Sequence, residues 1–165
     1  MKKIFYLLIL VFMIDCSSQS PNKLWEDAKV MRIKNQLNEC FNHLELIIEK
    51  YPNHDLAAKA QYQKAEIYLN DIKEYDFAIK EYKRVIEKYP NHDMAKNSLF
   101  MIAYIYNNYL NSFTDAIVNY KSFMKKYPYN ELIPSVEYEL EGLSKIEDTI
   151  DSLNLIFLKK AKNNL

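Results

Sequence analysis

A seven-residue string fixes the architecture of this chain before anything else is read. Glu49-Lys50-Tyr51-Pro52-Asn53-His54-Asp55 returns as Glu87-Lys88-Tyr89-Pro90-Asn91-His92-Asp93, 38 residues later. A further step of 38 reaches Lys125-Lys126-Tyr127-Pro128-Tyr129-Asn130-Glu131. The match continues between the prolines: Ala65 with Ala103, Tyr68 with Tyr106, Tyr75 with Phe113, Ala78-Ile79 with Ala116-Ile117, and Tyr82 with Tyr120. Self-similarity at a period of this size marks an array of stacked units, each unable to bury its apolar face alone.

The spacing inside each unit is helical. Ala78, Tyr82 and Val85 fall at i, i+4 and i+7, along one face of a 3.6-residue period. Pro52, Pro90 and Pro128 follow lysine-bearing ends, where a helix has to stop. Asp55 and Asp93 stand where N-cap carboxylates would accept the first free amides. Each unit therefore reads as two antiparallel helices and a turn. The single glycine, Gly142, cannot supply the turns of an all-β fold or the loops that cradle phosphates.

A small residue, an aromatic three later, a second aromatic before an Ala-aliphatic pair, an aromatic four after that alanine and a closing proline together resemble the tetratricopeptide repeat. Ala65, Tyr68, Tyr75, Ala78-Ile79, Tyr82 and Pro90 make one such unit, and Ala103, Tyr106, Phe113, Ala116-Ile117, Tyr120 and Pro128 the next. Ala28, Met31, Leu37, Cys40-Phe41, Leu44 and Pro52 fit as a first unit, with Cys40 in the small position. A fourth is degraded: Tyr138 and Leu140 match, but Glu141 stands where a small residue belongs. The resemblance implies an all-α, right-handed tetratricopeptide solenoid of about three to four helix-turn-helix units. The expected limits are a solenoid over 23–144, with units near 23–52, 53–90, 91–128 and 129–144. A capping helix and tail follow over 145–165, with Ile146, Ile150, Leu153 and Phe157 on one face.

Residues 1–22 read as an address. Met1-Lys2-Lys3 is a short positive region, and Ile4 to Ile14 would rise only about 16 Å as a helix, too little to cross a bilayer. That is a signal-peptide pattern over 1–15. Cys16, followed by Ser17-Ser18-Gln19-Ser20-Pro21-Asn22, resembles a bacterial lipoprotein signal, in which the cysteine is lipidated and 16–22 form a tether. Asp15 stands where that family has a small residue. The alternative is an incidental cysteine beside either an ordinary signal, whose removal would leave a soluble periplasmic protein, or an uncleaved anchor. Ser17 in place of an acidic residue favours the periplasmic face of the outer membrane. With Cys16 lipidated, Cys40 has no mate, so no disulfide framework is expected.

Chemistry is hard to find. Lys plus Arg and Asp plus Glu are 22 each, which gives no field to hold nucleic acid. His54 and His92 are repeat equivalents in turns, spread along the array rather than converging on a metal, and His43 is expected to face solvent. Glu137, Glu139 and Glu141 read as solvated, and Glu66 has no facing carboxylate. No serine has a His or Asp arrangement around it. No catalysis, cofactor or metal is expected.

One aromatic set remains. Trp25, Tyr62, Phe100 and Tyr138 stand three before the small position, which in tetratricopeptide folds points into the concave groove. Lys59, Glu66, Leu69, Asn97, Tyr104 and Asn107 neighbour them, a mixed apolar and hydrogen-bonding lining suited to an extended peptide or a partner helix. The alternative is that these rings fill space between adjacent helices. The 38-residue period, the Tyr-Pro-x-x-x-x-Ala start and the Ala78-to-Pro90 ending resemble envelope tetratricopeptide lipoproteins. Two groups carry such motifs: the BamD-like outer-membrane assembly lipoproteins and the YbgF-like coordinators of the Tol–Pal system. The implied function is a lipid-anchored scaffold in outer-membrane protein assembly, or else in cell division and wall coordination.

Overall fold

The computed structural model describes residues 19–163, and among them every regular element is helical. The fold is an all-α helical repeat, as the periodicity predicts. The chain divides into two compact units, Met1–Ala60 and Gln61–Leu165. The first holds α1 (Pro21–Ile33), α2 (Leu37–Lys50) and the start of α3 (Asp55–Glu66). The second holds the end of α3, a π-helical turn (Ile67–Ile72), α4 (Tyr75–Lys88), α5 (Asp93–Asn108), α6 (Phe113–Lys126) and α7 (Ile133–Asn163). No described helix is long and apolar enough to cross a membrane.

In the first unit, Ser20 caps α1, its Oγ accepting from the Lys23 amide at 3.3 Å, and Pro21 opens the helix where its missing N–H costs nothing. The α1–α2 hairpin buries Leu24 and Ala28 from one helix and Cys40, Leu44 and Ile47 from the other. Cys40 thus holds the close-approach position expected of a small residue.

In the second unit the chain packs successive neighbours: α4 on the π turn and on α5, α5 on α6, and α6 on α7. One core gathers Ala65, Leu69, Ala78, Ile79, Tyr82, Ile102 and Ile105. The next gathers Leu99, Ala103, Ala116, Tyr120, Phe123, Val136 and Leu143. The four alanines and both tyrosines are fully enclosed. The fourth-unit region and the capping segment form one uninterrupted helix of 31 residues, α7, whose Val136 and Leu143 enter the second core.

The turns repeat as closely as the helices. The amides of His54, His92 and Asn130 donate to the carbonyls of Tyr51, Tyr89 and Tyr127 at 2.9, 3.0 and 3.1 Å. Each closes a four-residue turn with proline second, the position its fixed φ suits. The same three residues then cap the next helix. His54 Nδ1 accepts from the Leu56 amide at 3.1 Å, His92 Nδ1 from Met94 at 3.0 Å, and Asn130 Oδ1 from Leu132 at 2.9 Å. The expected caps, Asp55 and Asp93, are displaced from that role. They lie one residue inside their helices and pair with Lys59 (2.6 Å) and Lys96 (2.8 Å).

The turns inside the hairpins place Asn35, Lys73 and Asn111, 38 residues apart, in the left-handed region at φ 57°, 64° and 51°. Asparagine tolerates that conformation; lysine does so at a cost. The extra residue of the longer units is also located. In the first hairpin the Gln36 amide reaches the Met31 carbonyl at 2.8 Å, five residues back. In the next two, Glu74 reaches Tyr68 and Ser112 reaches Tyr106, each at 2.9 Å and six back. From small position to small position, Ala65 to Ala78 and Ala103 to Ala116 are one residue longer than Ala28 to Cys40, and that residue is absorbed as a wide terminal turn rather than a shifted core.

A polar cluster interrupts this regularity. Glu81, buried on α4, accepts from Gln61 and pairs with Arg84, while buried Lys64 lies 3.4 Å away. Their equivalents one unit on are Asn119, Leu99, Ser122 and Ile102.

The cap assignment gives the first test. His92→Ala should lower stability by about 1 kcal/mol in urea denaturation, while His92→Asn, the residue the third turn already uses, should retain it. Equal loss in both variants would remove the cap from the account.

Candidate functional site

The candidate surface is assembled in the second unit by α3, α5 and the turn into α7. Tyr62, Asn97 and Phe100 line one cleft of about 280 Å³ with Met101, Glu131 and Leu132. Tyr62 and Phe100 come from equivalent positions and pack in the same way. The Tyr62 ring meets Tyr82 edge-on at 5.1 Å and 64°, and the Phe100 ring meets Tyr120 at 5.9 Å and 62°. Phe100 also meets Phe123 edge-on at 6.1 Å. Each ring therefore shows one side to the cleft and presses the other into the core. The sequence left two alternatives for these aromatics, groove lining and space filling; the geometry gives Tyr62 and Phe100 both.

The remaining expected residues spread out from that cleft. Tyr104 lies beside Phe100 with near-parallel rings at 6.4 Å, and edge-on to Tyr109 at 6.0 Å. Glu66 is half-buried one turn beyond Tyr62, and its charge acts on the Tyr62 hydroxyl. Tyr138 lines a separate cleft of about 230 Å³ with Asn107, Glu139, Glu141, Gly142, Lys145 and Ile146. There the Asn107 amide donates to Glu139 Oε2 at 2.7 Å. Trp25 and Lys59 belong to the other compact unit: Trp25 is half-buried on α1, and Lys59 is tied to Asp55. Leu69, expected on the lining, is a core residue. His43, expected in solvent, is half-buried, with an enclosed Nδ1. Cys16 lies outside the described residues, as do the rest of 1–18.

The cleft is nearly neutral. Burial first, and then the Glu66 carboxylate, push the Tyr62 hydroxyl up to about 12, so it stays protonated and able to donate. Burial also raises Tyr120 above the ordinary tyrosine value. Asn97 offers an amide donor and acceptor, and Glu131 adds one exposed carboxylate. Such a lining can hold an extended backbone by hydrogen bonds while the rings cover apolar side chains. Among the described residues, no group of three or more His, Cys, Asp or Glu side chains could hold a metal ion.

These features define a helical-repeat protein with aromatic-floored clefts on its first-helix side. A tetratricopeptide repeat family model matches residues 59–92 and 97–128, the two units in which the Ala-aromatic pattern is most complete. Tetratricopeptide repeats generally bind peptides or proteins and typically serve as non-catalytic scaffolds. No curated protein matches the chain.

Two outcomes follow. Because the Phe100 ring is wedged against Tyr120 and Phe123, Phe100→Ala should cost about 2–3 kcal/mol in chemical denaturation, whereas Asn97→Ala should be close to neutral. The Tyr62 hydroxyl gives a pH dependence. Above about pH 10 the unfolded chain loses this proton while the fold keeps it, so stability falls as pH rises from there toward 12. Urea midpoints measured across that window should slope downward, and Tyr62→Phe should flatten the slope.

Proposed function

We propose that this chain is a lipid-anchored, non-catalytic adaptor of the bacterial envelope. Cys16 would hold it at the periplasmic face of the outer membrane after removal of 1–15. The repeats would grip an extended segment of a partner protein, in a BamD-like role in the assembly of outer-membrane proteins. The observation that carries the binding part of this reading is the cleft in which Tyr62, Asn97 and Phe100 converge. A neutral lining with paired rings favours a polypeptide over a charged small molecule or a nucleic acid. The envelope assignment draws on the signal-like start, on Cys16 and on the Tyr-Pro repeat endings. Several acyl chains on one cysteine, each methylene contributing about 0.8 kcal/mol of burial, would make the attachment lasting.

A photo-crosslinking residue at position 97, introduced in cells, tests the partner. Adducts with subunits of the barrel-assembly machinery are the expected result. Adducts with wall-synthesis or Pal-type proteins would replace this role with the YbgF-like one. Fractionation of Cys16→Ser tests the anchor: the protein should leave the membrane pellet for the soluble periplasm, and an unchanged distribution would refute lipidation.

A further inference from the structure

The chain's only glycine lies inside the longest described helix, and nothing among the described residues accounts for it. A glycine in a helix interior costs roughly 0.5–1 kcal/mol relative to alanine. At Gly142 an added Cβ would meet nothing within 4 Å, so none of the described residues requires a glycine there. Gly142 also sits on an apolar stripe. Tyr138, Gly142, Ile146, Thr149, Leu153 and Ile156 are spaced by four, four, three, four and three, one face of α7. Val136 and Leu143 enter the core, and Leu143 borders the stripe on that side. The stripe is uncovered: Tyr138 is 77% exposed, Ile146 38%, Leu153 47% and Ile156 49%. The cleft lined by Tyr138, Gly142, Lys145 and Ile146 runs along it.

From this we infer that a second copy of the chain docks antiparallel along α7, each Tyr138 ring entering the notch above the other's Gly142. The surface fits its own image in shape and in charge. Gly142, Lys145, Ile146 and Thr149, at i, i+3, i+4 and i+7, form the four-residue hole that receives a side chain from a facing helix. About a two-fold axis near Gly142, Tyr138 of one copy arrives over that hole in the other, and the missing Cβ leaves room for the ring. Glu141 and Lys145 lie on one flank of the stripe, both largely exposed and paired within the helix at 2.7 Å. Antiparallel docking sets Lys145 of each copy toward Glu141 of the other, closing a four-charge ring around the notch. A two-fold contact of this kind uses the same patch twice and closes on itself.

Sedimentation of the full chain in mild detergent tests the inference. A concentration-dependent dimer is expected. Gly142→Leu, which fills the notch at an exposed helical site, should weaken it by at least about tenfold while thermal melting by circular dichroism stays level or rises. Glu141→Lys and Lys145→Glu should each weaken the dimer, and the two together should restore it. Gly142→Cys, beside the axis, should form an intermolecular disulfide on mild oxidation, and Val118→Cys, exposed on α6, should not. A chain that stays monomeric, a Gly142→Leu dimer as tight as the parent, or equal crosslinking from both cysteines would overturn the proposal and leave the stripe to a different polypeptide.

Discussion

Two helices can pack closely, backbone near backbone, only where both carry small side chains at the crossing, and this fold depends on that contact being made again and again. Ala65 and Ala78 meet in one core and Ala103 and Ala116 in the next, with no exposed surface left on any of them. Close approach leaves a wedge-shaped space, and a tyrosine fills it each time, Tyr82 and then Tyr120. Both rings are floors for the residues above: Tyr62 stands edge-on to one and Phe100 to the other. The cleft is thus not added to the scaffold. It is the upper surface of the packing that makes the scaffold, so its side chains cannot vary freely. A ring that faces the cleft on one side and the core on the other ties the shape of that surface to the stability of the fold.

That coupling explains what could be read from the residues and what could not. Periodicity reports burial, and burial is what the alanines, Tyr82, Tyr120 and the prolines specify, so the hairpins and their cores were legible. Tyr62, Asn97 and Phe100 were legible as neighbours for the same reason: the repeat puts them at one register on adjacent helices. The caps differ from the expected Asp55 and Asp93, although aspartate is the commoner cap. The Tyr-Pro turn brings the fourth residue, not the fifth, to the amides, and there an imidazole nitrogen can accept as a carboxylate would. The clue was present in Asn130, an ordinary cap residue at the third equivalent position. α-Helical spacing puts Leu69 on the lining, but it lies in the π-helical turn, where each residue turns through a smaller angle. His43 shares the register of Glu81 and Asn119, positions that the repeat pattern alone does not mark as enclosed.

The glycine-poor composition has a structural counterpart. Turns that usually rely on glycine are made by Asn35, Lys73 and Asn111, and the single glycine is kept for a helix, where it is conformationally the least welcome. The wide turns after α3 and α5 show the same economy. An inserted residue is carried as a local bulge, so the alanine contacts on either side keep their places.

Arrays of near-identical modules face a hazard that ordinary domains do not: a helix can be threaded beside the wrong neighbour, one module out of frame, and still find alanines and a tyrosine waiting. The buried Glu81 cluster guards against that error. Set α6 where α4 belongs, and Lys64 would face Asn119 rather than a carboxylate. Set α4 beside the leucine and isoleucine at 99 and 102, and Glu81 would lose both Gln61 and Lys64. Stranding a buried charge in this way costs roughly 3–5 kcal/mol, a large share of a small domain's total stability. One charged layer in an otherwise interchangeable stack acts as a key, and it lets a protein built from copies of one motif keep a single order of assembly.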